Sequence, residues 1–256
     1  MNVKSYAGKI LLVDLTNEAF EEIKYSEEFL RKYLGGTALG AKILYDMVPP
    51  GITYDDPNNI VFIGAGPLTG TSIGGSGSIS IVTKGALTEG ATSSQANGLF
   101  GAYMKFSGYD GIIITGKSAK WKYLLIKDGK PELINASGII GLDTYEVADK
   151  LRDIHDFKGK TASVLSIGPA GESKVRWAGT FIDHGHSASH NGTGAVIGSK
   201  MLKAIIAFRG EKKVEVHDQK TLGEISQEMY EDVEYFRGTI EGVANMWKSQ
   251  SGAVRR

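Results

Sequence analysis

Three of the chain's five histidines, His184, His186 and His190, fall within the run DHGHSASHNG, with Asp183 beside them. Imidazole and carboxylate are good ligands for zinc or iron, so the run could hold a metal. The spacing i, i+2, i+6 on a glycine-containing loop fixes no coordination geometry, however. The reading favoured over a metal is a loop whose side chains hydrogen-bond an anion or backbone. A second concentration of unusual chemistry lies upstream. Gly64 to Gly111 holds twelve glycines, two lysines, and no acid apart from Glu89 and Asp110. Glycine at this density permits positive φ and lets bare backbone approach another group closely. The stretch therefore reads as strands joined by glycine turns, with N–H groups facing a bulky ligand; the alternative is a tightly packed glycine turn region with no ligand. GPLTGT within it lacks the Lys-Ser/Thr ending of a phosphate-binding P-loop. The chain has no cysteine, so it offers no thiol nucleophile, disulfide or thiolate for an iron–sulfur cluster.

These residues sit in a chain of 256 residues, long enough for one large domain or two small ones. Lys+Arg and Asp+Glu both number 29, and that balance argues against a nucleic-acid partner. No apolar run reaches the ~18 residues of a membrane span, and MNVKSYAGK lacks a signal peptide's apolar core. The expectation is a cytoplasmic protein with no membrane partner.

The elements that must position the two regions follow from periodicity and turn residues. Lys9–Leu15 and Ala19–Lys24 read as a strand pair, and Ser26 caps a helix that stops at Gly35-Gly36. Residues 38–47 carry Leu39, Ile43, Leu44 and Met47 at helical spacing before Pro49-Pro50. Ile60–Ile63 and Ile79–Val82 are strands. Ile112–Thr115, Lys122–Ile126 and Glu132–Ile134 read as a meander turning at Asp128-Gly129-Lys130. Asp143 caps an amphipathic helix with Val147, Leu151 and Ile154 on its stripe. Ala162–Ile167 and Val175–Ile182 read as strands, 193–202 as a helix and Ala204–Phe208 as a strand. A charged helix, Gln219–Phe236, closes the pattern. Two similar runs on either side of about Gly129 suit an α+β fold with an internal duplication. Trp121, Trp177 and Tyr109 read as core or interface.

Seven stretches in register resemble the N-terminal domain of the aldehyde:ferredoxin oxidoreductase family, the tungsten or molybdenum pterin enzymes. They are KILLVDLT, YLGGTALGAKILYDMVP, NNIVFIGAGPLTGTS, VTKGALTEG, GLFGAYMKFSGYDGIIITGK, SIGPAGESKVRWAG and GAVIGSKMLKAIIAFRG. The resemblance implies a base plate of two related α+β halves on which a tungstopterin or molybdopterin lies. Its phosphates would be held by backbone amides, arginines and a magnesium ion. Carried over position by position, the resemblance assigns the cofactor surface to Thr37, Ser78, Gln95, Asn97, His186, Ser187, Ser189 and His190. Backbone amides around Gly98 and Gly192 complete it, and no residue is assigned a catalytic or metal-binding role. At Thr37, Ser78, His186 and His190 family members usually carry arginine, whose bidentate fork neither Thr nor Ser reproduces.

The family's cluster cysteines lie in helical domains after this one, so the resemblance implies that 256 residues do not make a complete enzyme. Residues 1–210 are then the pterin-facing domain. Residues 211–256 are a charged helical extension, the start of a helical domain or a subunit interface. The implied partners are C-terminal domains or a helical subunit carrying the cysteines, in a homo- or hetero-oligomer, with ferredoxin reached indirectly. The alternative is a non-catalytic structural or assembly subunit with a degenerate cofactor face.

Overall fold

The structure, a computed structural model, describes residues 3–253. Its first half begins with the hairpin β1 (Ile10–Asp14) and β2 (Ala19–Ile23), then helices α1 (Glu27–Tyr33) and α2 (Gly36–Met47). Strands β3 (Val61–Ala65), β4 (Ile79–Lys84) and β5 (Ala91–Ala96) follow, then α3 (Phe100–Phe106) and β6 (Gly111–Thr115). The sheet order is β2-β1-β6-β3-β4-β5, with β6 returning parallel to β1.

The second half repeats this plan. Its elements are β7 (Lys122–Lys127), β8 (Lys130–Asn135), α4 (Thr144–Ile154), β9 (Ala162–Ser166) and the short α5 (Pro169–Glu172). Then come β10 (Thr180–Ile182), β11 (His186–Ala188), α6 (Thr193–Ser199) and β12 (Leu202–Phe208). The order β8-β7-β12-β9-β10-β11 is the first sheet with six added to every label, and β12 runs parallel to β7. Matching bonds pin the correspondence: Ala65 N–H donates to Asp110 O at 3.0 Å and Ile167 N–H to Lys203 O at 3.1 Å. Gly66-Pro67 and Gly168-Pro169 follow at the same point, and Asn97-Gly98 and Asn191-Gly192 each lie between an edge strand and the helix after it. The expected duplication is therefore present, but its joint lies between Thr115 and Lys122, not at Gly129. Ile112–Ile114 pairs with β1 and β3, whereas Asp128-Gly129-Lys130 only turns the β7–β8 hairpin.

Strand periodicity builds the layers. Ile112 and Ile114 of β6 enter a core between the sheets, together with Ile63, Ile81, Leu165 and Ile205 and with Phe100, Met104 and Val196 of α3 and α6. Ile113 points the other way, to the core under α1 and α2 with Leu39, Ile43 and Phe62. On the second sheet Val164 and Ile206 meet Val147 and Leu151 of α4. Asp143 caps α4 through a full capping box with Glu146, as its sequence implies.

The glycine region is not strands and turns alone, because α3 lies within it. Gly101 explains this: a Cβ there would stand 2.6 Å from Ile79 Cγ2, so the glycine lets a helix press onto β4. The expected strand Val175–Ile182 shrinks to Thr180–Ile182. Lys174 adopts φ 55°, and Val175 N–H bonds Ala170 O at 2.9 Å, closing a turn instead.

Residues up to 71 and from 75 to 215 form one compact unit; residues 72–74 and the chain from 216 form another. The second is dominated by α7 (Gln219–Ala253), longer than its charge pattern implied. Asp218 caps it through Thr221 N–H at 3.0 Å. No helix among the described residues is long and apolar enough to cross a membrane.

Candidate cofactor surface

Two edge strands, β5 and β11, bring the residues of interest together. On β5 the side chains alternate: Thr92, Ser94 and Ala96 are buried, whereas Ser93 and Gln95 point towards the α2 side. Register places Gln95 opposite Ser80 of β4 and Ser93 opposite Val82. Thr37, in the first turn of α2, reaches over this face. Its Oγ1 lies 3.0 Å from Ser80 Oγ and 2.8 Å from Ser93 Oγ, and Gln95 Nε2 approaches it at 3.5 Å. Thr37 and Gln95, 58 positions apart, are thus joined by two serines that the sequence reading did not single out. The signal was available in the alternation of ATSSQA, but only pairing with β4 decides which face it serves.

Ser78 and Asn97 make a second pair, Ser78 Oγ donating to Asn97 Oδ1. Next to it, Gly98 adopts φ +125°, and a Cβ there would meet His186 Cδ2 at 3.3 Å. This glycine brings the loop after β5 against the histidine loop of the other half. The histidine loop is fastened in the reverse direction. His190 N–H donates to Ser94 Oγ at 3.0 Å, and Asn191 Nδ2 donates to Thr92 Oγ1. His186, Ser187, Ser189 and His190 are exposed. Gly192 differs: it is buried, in the left-handed region at φ +71°, and a Cβ would stand 1.9 Å from Arg176 O. It shapes the entry to α6 and presents no open surface.

Two of the four candidate ligands in the histidine loop, Asp183 and His184, are engaged by neighbouring residues. Asp183 is held by Ser163 Oγ at 2.7 Å and Val164 N–H at 2.8 Å, anchoring the loop to β9. His184 stacks on Tyr145 at 5.3 Å between centroids and places Nε2 3.0 Å from Asp149. No group of three His, Cys, Asp or Glu among the described residues is placed to hold a metal. Tyr109 is core, as expected, whereas Trp177 is 73% exposed and belongs to no core.

Beside the Thr37 cluster lies a crevice of about 300 Å³. Its walls are Leu34–Gly36 on one side and Gly64, Gly66–Thr69 on the other, with Gly75, Ser76, Ser78 and Ser80 closing the end. A Cβ at Gly75 would stand in open space, and one at Gly66 would meet only Thr69 Oγ1 at 3.9 Å. Bare backbone therefore forms much of the lining; a side chain at Gly66 or Gly75 has open space to enter, whereas a Cβ at Gly35 or Gly64 would strike Ala65 O at 2.6 Å or Phe62 at 2.2 Å. No charged side chain lines it among the described residues. What the face offers is a set of donors and acceptors: hydroxyls, carboxamides, imidazoles and backbone.

A profile of the aldehyde ferredoxin oxidoreductase N-terminal domain matches residues 10–209. The tungsten-containing aldehyde ferredoxin oxidoreductase of Pyrococcus abyssi is 39% identical over 226 residues, covering 88% of this chain and 37% of that protein. An aliphatic sulfonate oxidoreductase, WOR-like subunit, of Pyrococcus furiosus is 36% identical, covering 90% and 38%. Among solved structures, the active site complex BamBC of benzoyl coenzyme A reductase, in complex with 1,5-dienoyl-CoA, superposes with a TM-score of 0.79. It is 34% identical, over 82% of this chain and 32% of that one. The chain thus spans well under half the length of these relatives.

Proposed function

Because the chain belongs to the aldehyde ferredoxin oxidoreductase family, as its N-terminal domain, we propose that it supplies the surface on which a tungsten–pterin cofactor lies within a larger oxidoreductase. The observation that carries this reading is the glycine-walled crevice opening beside Thr37, Ser80, Ser93 and Gln95 and the Ser78–Asn97 pair. The donor set fits such a group. A pterin ring presents amide-like donors and acceptors at its edge, which carboxamides and hydroxyls can match. Phosphate oxygens accept from backbone N–H and Ser/Thr hydroxyls without needing a formal charge. Gln95, Asn97 and Thr37 would hold the heterocycle, and Ser78, His186 and His190 would face the phosphates. A magnesium ion, which prefers oxygen ligands, would draw on phosphate and on the Gln95 carboxamide oxygen, since Asn97 Oδ1 already accepts from Ser78 Oγ. When bound, the cofactor supplies the redox chemistry at its metal. This chain's own work is to bind, orient and shield one face of it. The cluster cysteines, the electron path to ferredoxin and the substrate-facing groups belong to further domains or a helical subunit.

With hydroxyls at Thr37 and Ser78 and imidazoles at His186 and His190, affinity would rest on many hydrogen bonds of about 1 kcal/mol each. The test is the tungsten, molybdenum and released-pterin content of the protein purified from its native host with whatever it binds. Gln95→Ala/Asn97→Ala is expected to lower pterin content at least about tenfold while the fold persists. Native protein free of tungsten, molybdenum and pterin would overturn the reading.

A further inference from the structure

Lys105 lies on α3 at 2% exposure, where an ammonium persists only if its donors are met. All three find carbonyl oxygens: Ser5 O at 2.6 Å, Gly66 O at 3.1 Å and Pro67 O at 3.3 Å. The Asp110 carboxylate stands 3.7 Å away and itself accepts from Ala7 N–H at 2.9 Å and Gly8 N–H at 2.7 Å. One buried cation thereby ties the N-terminal arm to two of the residues that wall the glycine crevice, Gly66 and Pro67.

The second half shows the same device in a closed form. Lys203, at the position equivalent to Asp110, donates to Leu142 O at 2.8 Å and to Glu172. The Glu172 carboxylate also accepts from Gly141 N–H at 3.1 Å, bridging the loop before α4 to the turn after β9. Among the described residues of the first half no carboxylate bridges those loops; Asp110 meets Ala7, Gly8 and Lys105 instead. The lysine pulls from behind the turn after β3, and Gly35 packs on its front, where a Cβ would stand 2.6 Å from Ala65 O and 3.2 Å from Gly66 Cα.

We propose that Lys105 is a positioning residue for the crevice, its ammonium setting the position of the Gly66–Pro67 wall opposite Gly35-Gly36. The functional meaning of that geometry rests on the reading of the crevice as part of a cofactor surface, but the geometry itself is testable without cofactor. A neutral side chain of equal length would fill the space and leave three carbonyls unmet.

The absence of cysteine makes a clean experiment available. Lys105→Cys provides a unique thiol in the full-length chain. Alkylation under denaturing conditions with bromoethylamine restores an ammonium at lysine length, and propyl bromide restores the bulk alone. After refolding without cofactor, hydrogen exchange is read at the Gly66 and Thr69 amides, which bond Thr69 Oγ1 and Gly66 O within the wall. The aminoethyl form is expected to match wild type, and the propyl form to exchange about tenfold faster or more at these two amides. Equal protection in both forms, or equal loss in both, would overturn the proposal. Lys105→Met produced folded in cells serves where refolding is poor: unchanged exchange at Gly66 and Thr69 would overturn it there too. Pterin content is measured separately. Its absence would count against the cofactor reading and leave the exchange result standing.

Discussion

At the scale of single residues, two glycines with the same sequence context play different parts. Asn97-Gly98 and Asn191-Gly192 each lie between an edge strand and the helix after it, yet Gly98 meets only the side chains of Ile182 and His186, whereas Gly192 abuts the Arg176 carbonyl. Side chains can shift and backbone cannot. Alanine is strained at both positive φ values; Gly192→Ala adds a backbone collision and is expected to cost about 4 kcal/mol or more, and Gly98→Ala about 2–3 kcal/mol. Urea denaturation midpoints of the two variants, compared with wild type, check the order; equal midpoints would contradict it. Thr37→Val removes the centre of the hydroxyl cluster while keeping its volume. Because the site is exposed, stability should change by less than about 1 kcal/mol, whereas pterin retention falls. A variant that retains cofactor fully would remove Thr37 from the surface.

At the scale of elements, buried lysines fasten helices to loops. Lys200, following α6, donates to Pro57 O at 3.2 Å and Gly116 O at 3.1 Å, and burial pushes its pKa down to about 8. Burial does the same to Lys105, also to about 8, with Asp110 opposing the shift. Both folded values lie below the unfolded 10.5, so between pH 8 and 10.5 the unfolded chain binds more protons. Stability contributed by these groups must then rise with pH across that window. Tyr109, pushed up to about 12 by burial and Glu22, opposes this trend only above its unfolded value of 10. The expected result is a denaturation midpoint that climbs from pH 8 to 10, with a shallower slope in Lys200→Met. A wild-type midpoint that falls over that interval, with no difference in the variant, would refute the assignment.

At the scale of the whole molecule, the exposed apolar groups are concentrated in the kind of residues that seek cover. Tyr45 is 84% exposed and lines a cleft with Leu44, Val48, Pro49 and Pro50, and Trp177 stands clear of all three cores. Large exposed aromatic groups of this sort mark contact surfaces. The isolated chain is expected to associate as concentration rises through the micromolar range, and Trp177→Ser to weaken that association, as read by sedimentation velocity. A monodisperse monomer throughout would argue against such a surface.

Sequence alone determined what depends on local pattern. The amphipathic stripes of α2 and α4, apart from their last members Met47 and Ile154, which the structure leaves exposed, the caps at Ser26 and Asp143, and the buried strands follow from spacing and end residues. The duplicated α+β plan and the family were legible because seven motifs keep their order. Local pattern could not settle where a strand pairs. KILLVDL and GIIIT, about a hundred residues apart, lie parallel, and that placement moves the joint between halves away from Gly129. Nor could it distinguish a glycine that faces a crevice from one pressed on backbone, since both read as G in a turn. Ser80, Ser93 and Lys105 escaped for the same reason. A serine's facing is set by register with a neighbouring strand, and a lysine's burial by which carbonyls converge on it. Both are properties of distant segments brought together, decided by tertiary structure.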